Sequence, residues 1–523
     1  MADQMADILA LHAATQPAKL AIVDDRPDRP TVTYTFAEAN ERSNQYAALL
    51  VELGVRNTTK VVWCGQNSAS ALLVASAIRK VGGVGVPLNY RLAPEEAAYV
   101  IDNCDAEVVV VDAEYANLIE QALPSPKVRD VLAFDGDGSL EARLDGYPTD
   151  DVEPVEGTVG STMIYTSGTT GKPKGAVRPG VQNQEQTLAL VRLIGYQPDD
   201  VYLTTGPLYH SGPGGFALLA LTLGNTIIVQ HKFDPEDWLR LVDTYTVTTT
   251  FTAPTPIRMV CTLPAEVKTA YDRSGMKRMI ANAAPWTLAL KQLYLADFPP
   301  ESLWEVYGST ELGVDTVLGP EDHLRKPGSC GKPAPGVELV LFSDAGQQVT
   351  EPHVPGELYV RAANVFTAYY KAEDKYRDDT RGEFHTVGDV AYFDEDGYFY
   401  IADRKRDMII SGGMNIYPAE VEAALDQSPD VFEVAVIGVP SEEWGENVHA
   451  VVVPAHAGAT ADAVIAFGRD HLAGYKVPRS VSFVGELPKT GSGKVLKREL
   501  RAPYWNEPAP LSLEGQGRLT HGH

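Results

Sequence analysis

One stretch of the chain decides the fold class: Y-T-S-G-T-T-G-K-P-K-G, which runs from Tyr165 to Gly175. A short apolar run, Thr162–Tyr165, leads into it and a helical pattern begins at about Gln182, so the sequence predicts a strand–loop–helix crossover. Glycines let the backbone approach a ligand closely, and successive N–H groups can surround an anion. Hydroxyls and lysines add hydrogen bonds and positive charge. The stretch therefore predicts a loop that holds a polyphosphate.

The loop differs from a Walker A motif. That motif requires G-x-x-x-x-G-K-[ST], and neither Gly168 nor Gly171 has a Gly-Lys-Ser/Thr at the required offset. A run of Gly, Thr, Ser and Lys is also common in solvated loops, and the stretch by itself leaves that alternative open. The flanking strand and helix favour a phosphate site, because phosphates bind at such junctions.

Composition limits the classes of partner. The chain has 523 residues, enough for a large domain and a smaller one, and its 44 Lys and Arg against 70 Asp and Glu give a net charge of −26. An acidic surface argues against nucleic acid or an anionic membrane as the main partner. The four cysteines form no C-x-x-C pair, so neither zinc nor a disulfide framework is indicated. With no secretory signal and no long apolar run, we expect a cytoplasmic protein without a transmembrane segment.

Strand and helix patterns alternate through most of the chain. Lys60–Cys64 reads as a strand, Ser68–Val81 as a helix and Val84–Leu88 as a strand, while Val108–Val111 is the continuous apolar type of parallel sheets. This pattern predicts an α/β fold whose large N-terminal domain has helix-covered mixed or parallel sheets. Near Asp403 the alternation gives way to short strands and few helices. A small, mobile α+β C-terminal domain is expected there.

Further short motifs carry charge at strand ends or in glycine-rich loops: Y-G-S-T-E at Tyr307–Glu311, F-H-T-V-G-D at Phe384–Asp389, D-R-K-R-D at Asp403–Asp407 and P-K-T-G-S-G-K at Pro488–Lys494. A carboxylate at a strand end lies where α/β ligands bind and suits Mg²⁺. An aspartate can accept two hydrogen bonds from vicinal hydroxyls, and a lysine on a flexible loop can stabilise developing charge. Each motif alone would more often be a turn, a surface charge or a solvated loop.

Together, in this order and at these separations, the motifs resemble those of the adenylate-forming superfamily, which includes acyl-CoA synthetases, aryl-CoA ligases, luciferases and peptide-synthetase adenylation domains. The resemblance covers about residues 10–500. It implies ATP as co-substrate, with Mg²⁺ held by Thr166 and Glu311, ribose at Asp389 and Arg404, and Lys494 as the catalytic lysine. The ATP or AMP contacts that it implies are Thr166, Ser167, Gly168, Thr169, Thr170, Gly171, Lys172, Lys174, Ala283, Ala284, Pro285, Tyr307, Gly308, Ser309, Thr310, Glu311, Asp389, Arg404 and Lys494.

The resemblance also implies a division of the chain: 1–403 as the large AMP-binding domain with the ATP and acyl sites, 404–406 as a hinge around Arg406, 407–506 as the small domain with the lysine loop, and 507–523 as a disordered tail. Several positions depart from the family pattern. Asn282 stands where glycine is common, Val387 loosens the T-G-D signature, Arg406 replaces the usual Asp or Lys, and Pro179-Gly180 replaces Thr-His.

The acyl and CoA sites are also implied by the resemblance. His210, after the strand Val201–Thr205, would border the substrate carboxylate, and the neighbouring glycines would leave room for a long or bulky acyl group. No acidic residue stands near this point, which disfavours an amino acid. The acyl pocket that this implies comprises His210, Ser211, Gly212, Gly214, Thr252, Trp286, Leu312 and Gly313. The CoA contacts comprise Ser411, Gly412, Gly413, Trp444, Tyr475, Lys476 and Arg479.

The expected activity is that of an acid–CoA ligase, in which a carboxylic acid, ATP and CoA give acyl-CoA, AMP and pyrophosphate through acyl-AMP. The expected acid is fatty or bulky and apolar. The expected catalytic residues are Lys494, Glu311, Thr166 and His210. An aryl acid–CoA ligase, an acyl-AMP ligase that loads a carrier protein, a luciferase-type monooxygenase and a non-catalytic nucleotide sensor stay open, as does a homodimer.

Overall fold

The structure, a computed structural model, describes residues 7–134, 140–152, 160–166, 173–178, 183–284, 286–363, 365–404, 407–412, 414–490 and 493–505. The helices are α1 Ile8–Thr15, α2 Phe36–Glu52, α3 Ala69–Lys80, α4 Pro94–Asn103, α5 Ala116–Ala122, α6 Leu140–Leu144, α7 Gln184–Ile194, α8 Ser211–Thr222, α9 Pro235–Thr244, α10 Pro254–Cys261, α11 Ala265–Thr269, α12 Leu288–Asp297, α13 Glu373–Asp378, α14 Pro418–Leu425, α15 Ala461–His471 and α16 Lys497–Trp505.

The strands that precede residue 320 are β1 Leu20–Asp24, β2 Val32–Thr35, β3 Lys60–Cys64, β4 Val84–Leu88, β5 Ala106–Val111, β6 Asp130–Ala133, β7 Ser161–Thr166, β8 Lys174–Arg178, β9 Val201–Thr204, β10 Thr226–Val229, β11 Thr249–Thr252, β12 Arg278–Ala281, β13 Leu303–Ser309 and β14 Gly313–Leu318. The later strands are β15 Lys332–Pro333, β16 Glu338–Phe342, β17 Gln348–Val349, β18 Gly356–Arg361, β19 Ala368–Tyr369, β20 Thr380–Arg381, β21 Phe384–His385, β22 Asp389–Phe393, β23 Phe399–Arg404, β24 Ile409–Ser411, β25 Met414–Ile416, β26 Val431–Ser441, β27 Gly445–Pro454 and β28 Ser480–Phe483.

Two large mixed sheets form the body of the N-terminal part. The first has the strand order β15-β14-β13-β12-β11-β9-β10-β1-β2 and the second β19-β8-β7-β4-β3-β5-β6. Neighbouring strands from β13 through β1 in the first sheet, and from β7 to β6 in the second, run parallel, and antiparallel strands close the edges. The largest hydrophobic cluster joins these sheets with α2, α3 and α8. Parallel strands buried under helices confirm the predicted α/β class.

The phosphate-loop stretch has a different local topology from the one the sequence predicts. β8 pairs antiparallel with β7, with Thr166 opposite Lys174, so the stretch is strand–loop–strand and the predicted strand–loop–helix crossover is wrong. β8 also pairs with β19, nearly two hundred positions later in the chain, and that partner is invisible in a local pattern. Because α7 begins only at Gln184, no helix N-terminus directly follows the loop. A phosphate bound at this loop would therefore be held by the backbone and side chains of the loop itself.

The first helices have side-chain N-caps. Thr35 caps α2 in a capping box with Glu38. α3 begins at Ala69, and Ser68, which the sequence pattern placed in the helix, is its N-cap because its hydroxyl accepts from the Ala71 N–H. This difference lies at a helix end, where a cap and the first helical residue share one pattern.

Two further sheets complete the described part of the chain. The order β17-β16-β18-β21-β20, with β22 and β23 attached, forms an antiparallel sheet that follows the body. The C-terminal part contains β25-β24-β27-β26 with β28 beside β27, and α14, α15 and α16 accompany this sheet. This agrees with the predicted small α+β domain. Within the described residues, no helix is long and apolar enough to cross a membrane.

Candidate active site

The base of the phosphate loop contacts the Y-G-S-T-E motif, Tyr307–Glu311. The Thr166 hydroxyl donates to Glu311 Oε1 at 3.1 Å, although the two residues are far apart in the chain. Thr166 is the last residue of β7, and Glu311 lies in the turn between β13 and β14 with only 8% of its surface exposed. The fold thus brings together the two residues predicted to hold magnesium.

Tyr369 also contacts this carboxylate, and sequence reasoning missed it. Its hydroxyl donates to Glu311 Oε1 at 3.1 Å, and the Lys174 Nζ lies 5.7 Å from the centre of its ring. The backbone reinforces the contact, because the Phe366 N–H donates to the Glu311 carbonyl at 2.7 Å. Tyr369 belongs to β19, whose pairing with β8 places it beside the loop. No spacing in the sequence marks this tyrosine as part of the site.

The turn that carries Glu311 depends on glycine. A Cβ on Gly308 would lie 1.8 Å from the Gly313 carbonyl oxygen, so any larger residue would force the β13–β14 hairpin apart. Gly313 has a φ of +89°, and the Ser309 hydroxyl accepts from the Leu312 N–H at 3.0 Å. The signature Tyr307–Glu311 therefore forms a tight hairpin whose tip presents the carboxylate.

The residues predicted to hold adenine and ribose also converge. The Tyr307 hydroxyl donates to Asp389 Oδ2 at 2.6 Å, and burial together with this carboxylate raises the pKa of Tyr307 well above its usual value. Asp389 lies opposite Arg404 in the antiparallel pair of β22 and β23, which puts their side chains on neighbouring positions of one sheet face. The Arg404 side chain is outside the described atoms, so its role stays a prediction.

Asn282, which departs from the family pattern, has a structural role. Its amide nitrogen donates to the Val306 carbonyl, and its amide oxygen accepts from the Ala283 N–H. Ala283 has a φ of +73°, a backbone conformation that usually requires glycine. The asparagine therefore joins this strained turn to the residue before Tyr307. The predicted contact Ala284 follows in the same turn.

His210, the predicted carboxylate neighbour, occupies the N-cap position of α8. Its Nε2 is buried and has no hydrogen-bond partner among the described residues. Burial, with a smaller effect from Arg91, lowers the pKa of His210 to about 4, so the imidazole is neutral near pH 7. A neutral, unpartnered ring nitrogen is suited to a ligand that supplies its hydrogen bond.

The glycines near His210 pack against neighbouring residues. A Cβ on Gly212 would lie 2.5 Å from the Phe251 ring, and one on Gly214 would lie 2.5 Å from the Leu208 carbonyl oxygen. Gly215 has open space around it and is exposed. Gly212 and Gly214 therefore allow α8 to pack closely on its neighbours, and acyl space beside these glycines stays a prediction.

The other residues assigned to the acyl pocket do not form one cluster. Trp286 packs in a core cluster with Leu290 and Tyr294, whereas Leu312 packs among residues of the third sheet. Thr252 is buried at the end of β11, and its hydroxyl donates to the Ala253 carbonyl. A cavity of about 60 Å³ between α3 and α8 is lined partly by Gly214. A cavity that binds benzene is roughly 150 Å³, so this one is too small for an aryl or fatty chain.

A series of hydrogen bonds links the Y-G-S-T-E motif to α8. The Ser211 and Thr310 hydroxyls lie 2.7 Å apart, and Arg178 Nη1 donates to the Thr310 carbonyl at 2.7 Å. Burial lowers the pKa of Arg178, and the carboxylates of Glu311 and Asp315 partly offset that effect. Arg178, another residue that sequence reasoning missed, thus lies between the phosphate loop and the predicted acyl site.

The lysine loop of the C-terminal part is docked against the N-terminal body. Gly493, with a φ of +82°, lies against Ala253 and Thr255, so a Cβ there would come within 3.5 Å of the Ala253 Cβ. The loop is closed by a bond of 2.7 Å from the Thr490 N–H to the Lys494 carbonyl. Gly493, the neighbour of Lys494, therefore lies at the carboxyl end of β11, beside Ala253.

A second contact holds the two parts in this arrangement. Asp426, at the C-cap of α14, accepts from Arg258 Nη2 of α10 at 3.0 and 3.1 Å, and from the Thr287 hydroxyl at the N-cap of α12. The side chains of Arg258 and Asp426 are only 12% and 5% exposed. We call Asp426, Arg258 and Thr287 the docking triad.

The predicted CoA residues form two adjacent groups. A Cβ on Gly412 would lie 2.7 Å from the Trp444 ring, so Gly412 supports that indole, and the Arg479 guanidinium lies 5.1 Å from the centre of the same ring. Lys476 instead forms an ion pair with Glu420 and would have to exchange it to meet a phosphate. Ser411 pairs with Gly445 in the same sheet. Trp444 and Tyr475 are exposed, with 38% and 42% of their surface accessible.

Some predicted residues cannot be compared with the fold. The following lie outside the described residues: Ser167, Gly168, Thr169, Thr170, Gly171, Lys172, Pro285, Arg406, Gly413 and the tail 507–523.

The residues at Glu311 fit magnesium. A carboxylate and a hydroxyl, both hard oxygen donors, lie 3.1 Å apart at the phosphate loop. Mg²⁺ is commonly held by one or two protein ligands together with phosphates and waters, and such a set needs no larger acidic cluster. Among the described residues there is no group of three or more His, Cys, Asp or Glu that could hold a metal.

Known proteins resemble the chain over nearly its whole length. The AMP-binding enzyme family matches residues 9–370, and the AMP-binding enzyme C-terminal domain matches residues 420–494. An indoleacetate–CoA ligase of Aromatoleum aromaticum is 33% identical and covers 95% of this chain and 98% of its own. A feruloyl-CoA synthase of Amycolatopsis is 36% identical, with 90% and 94% covered. A long-chain-fatty-acid–CoA ligase of Mycobacterium tuberculosis is 31% identical, with 95% and 98% covered.

Solved structures agree with these relatives. An anthranilate CoA ligase in complex with anthranoyl-AMP superposes with a TM-score of 0.86 at 27% identity, covering 95% of this chain and 96% of its own. Thr166, the motif at Tyr307–Glu311 and Asp389 are brought together here by the same two-part fold. The chain therefore belongs to the AMP-binding enzymes, in the acyl-CoA ligase branch of the adenylate-forming superfamily, and is an AMP-forming acyl-CoA synthetase.

Proposed function

We propose that this enzyme activates an aryl acid with Mg·ATP and transfers the acyl group to CoA. One observation carries the proposal: the Lys494 loop is docked at the end of β11 while Thr166 contacts Glu311 and Tyr307 contacts Asp389. These contacts support nucleotide, metal and lysine sites near the carboxyl ends of β7, β11 and β13. Charge that develops on the α-phosphate would be met there by preorganised donors.

In the first half-reaction, a carboxylate oxygen of the acid attacks the α-phosphorus of ATP, and pyrophosphate leaves. The neutral His210 would border the carboxylate, and Lys494 would bridge the carboxylate and the α-phosphate oxygens. Magnesium, when bound, would neutralise charge on the phosphates. Thr166 and Glu311 would hold it, and Tyr369 would keep the Glu311 carboxylate oriented.

In the second half-reaction, the CoA thiol attacks the acyl carbon and AMP leaves. For this step we propose that the C-terminal part, residues 407–506, turns about a hinge at 404–406 relative to residues 1–403. The contact of Trp444 with Gly412 and Arg479 would then offer an aromatic and cationic surface to CoA. Rotation of one domain about a short hinge is a common way in which a protein changes from one arrangement to another.

The choice of an aryl acid rather than a fatty acid rests on the similar proteins. The two relatives mentioned first act, by their names, on indoleacetate and on a feruloyl acid. The fatty acid relative makes a fatty substrate the alternative to test.

The test is to measure AMP formation with Mg·ATP and a panel of benzoates, arylacetates, cinnamates and fatty acids of increasing length, with and without CoA. CoA-dependent turnover that is highest with aryl acids is expected, and a preference for long fatty acids would overturn the substrate class. Acyl-AMP that accumulates regardless of CoA would indicate a carrier protein as acceptor. Light emission that requires oxygen would indicate a luciferase-type reaction, and no turnover with any acid would support a nucleotide sensor.

Lys494 gives a matched mutational test. Lys494→Ala is expected to slow acid-dependent ATP–pyrophosphate exchange far more than thioester formation from supplied acyl-AMP. Lys489→Ala is the control, because that lysine lies in the same segment but pairs with Glu433 of β26 at 2.7 Å. Equal losses in both half-reactions for Lys494→Ala would contradict the assigned role.

A further inference from the structure

Asp315 is a buried carboxyl group that the proposed reaction does not use. It lies on β14, two residues beyond Gly313, and has 0% of its surface exposed. Among the described residues, neither of its carboxylate oxygens has a hydrogen-bond partner. Its backbone carbonyl is satisfied by the Ala334 N–H at 2.9 Å, so only the side chain lacks partners. Such a group costs free energy to bury and requires an explanation.

The strand is irregular at this residue. In the pair of β13 and β14, Tyr307 lies opposite Thr316, and Gly308 lies opposite Val314. Asp315 of β14 is therefore an extra residue without a partner position on β13. An inserted residue of this kind is a β-bulge. Bulges are common beside active sites, where they redirect a side chain out of the regular alternation of the strand. The position of Asp315 therefore reflects a local feature of the active-site hairpin.

The charges around Asp315 tie it to the reaction centre. Its carboxylate interacts electrostatically with Arg178, Asp389 and Tyr307. Burial, and next the charge of Asp389, raise the pKa of Asp315 well above its usual value, while Arg178 acts in the opposite direction. The Asp389 carboxylate thus disfavours charge on Asp315, and Arg178 favours it.

A structural ion pair does not account for this residue. No contact of 4.0 Å or less joins Asp315 to a cationic group in the part of the chain that the structure describes. Arg178, the cation that acts on it, spends one donor on the Thr310 carbonyl at 2.7 Å. Thr310 in turn contacts Ser211 at 2.7 Å, at the start of α8 and next to His210. Arg178 and Thr310 therefore link the surroundings of Asp315 to the start of α8, where the acid is predicted to bind.

We propose that Asp315 is a specificity-determining residue, which hydrogen-bonds an O–H or N–H group on the acyl part of the acid. This rests on the proposed function. A carboxyl oxygen accepts such a bond, and the substrate would supply the partner that the free protein lacks. Discrimination against an analogue that lacks the donor follows, because the analogue would leave the buried carboxyl unpartnered.

The experiment compares acids that differ by one donor. The probes are phenylacetate against its 3-hydroxy and 4-hydroxy forms, benzoate against 2-aminobenzoate, and indole-3-acetate against 1-methylindole-3-acetate. For the intact enzyme we expect kcat/KM in ATP–pyrophosphate exchange to favour the donor-bearing member of at least one pair by about tenfold or more. Asp315→Ala should abolish that preference, and Asp315→Asn should keep part of it, because its amide oxygen still accepts.

Two controls separate this role from a structural one. Asp322→Asn changes another buried carboxylate, which accepts from the Tyr398 hydroxyl at 2.6 Å away from the site, and should leave the preference intact. The KM for ATP should be unchanged in Asp315→Asn. The inference is overturned if the intact enzyme shows no preference within any pair, if the preference survives in a folded Asp315→Ala, or if only the KM for ATP changes. A failure of the proposed function would instead appear as an intact enzyme that activates none of these acids.

Discussion

The docking triad offers the sharpest test of how the two parts of the chain cooperate. Asp426→Asn replaces the carboxylate that Arg258 meets at 3.0 and 3.1 Å with an amide of the same shape. We expect acyl-AMP formation to slow, because the proposed first half-reaction uses the Lys494 loop as it is docked in this arrangement. Thioester formation from supplied acyl-AMP should be unchanged or faster, because the rotation proposed for that step releases this contact.

The magnitude follows from burial. Removing one partner of a buried ion pair typically costs about 3–5 kcal/mol. Here the asparagine oxygen still accepts a bond and the side chain of Arg258, 12% exposed, lies near water, so about 2 kcal/mol is a better expectation. The pair joins two parts of the chain, so the loss falls on docking and not on the folding of either part. About 2 kcal/mol changes the docking equilibrium roughly 30-fold, which is the upper limit for the loss in the first half-reaction.

The assay is ATP–pyrophosphate exchange for the first step and CoA-dependent consumption of synthetic acyl-AMP for the second. Asp430→Asn is the matched control, because Asp430 pairs with His456 inside the C-terminal part at 3.2 Å. A double-mutant cycle with Arg258→Gln should show that the two losses are not additive. The reasoning is refuted if both half-reactions slow equally, if exchange is unaffected, or if the losses simply add.

Three other predictions concern single contacts. Tyr369→Phe removes a hydroxyl that donates to Glu311, so we expect the magnesium concentration for half-maximal exchange to rise about tenfold with little change in thermal stability; an unchanged magnesium requirement would exclude the positioning role. Gly212→Ala places a Cβ 2.5 Å from Phe251, so the melting temperature should fall by an amount that corresponds to about 1–3 kcal/mol, and a protein as stable as the original would show that α8 can shift freely. The pKa of His210 is about 4 in the folded protein and near 6.5 in the unfolded chain, so between these pH values only the unfolded chain binds this proton. The free energy of unfolding should therefore fall as the pH is lowered from 6.5 toward 4. The fall should be smaller in His210→Gln when unfolding is measured across this range.

The sequence alone determined the chemistry-bearing motifs and the fold class. Loop composition, strand-end carboxylates and a lysine beside Gly-Ser-Gly are local features, and so are the apolar runs that predicted parallel strands. Thr166 lies 3.1 Å from Glu311, and Tyr307 lies 2.6 Å from Asp389, although β7, β13 and β22 belong to three different sheets.

Tertiary structure decided what depends on partners distant in the chain. β8 is a strand because β7 and β19 pair with it, so the helix expected to follow the phosphate loop directly is absent. Tyr369 and Asp315 enter the site through pairing and a bulge, and neither effect leaves a mark on neighbouring residues. Gly212 gives no sign in the sequence of its neighbours, and only the folded chain shows that a Cβ there would meet Phe251. Local patterns record what a residue can do, whereas packing determines which neighbour it meets.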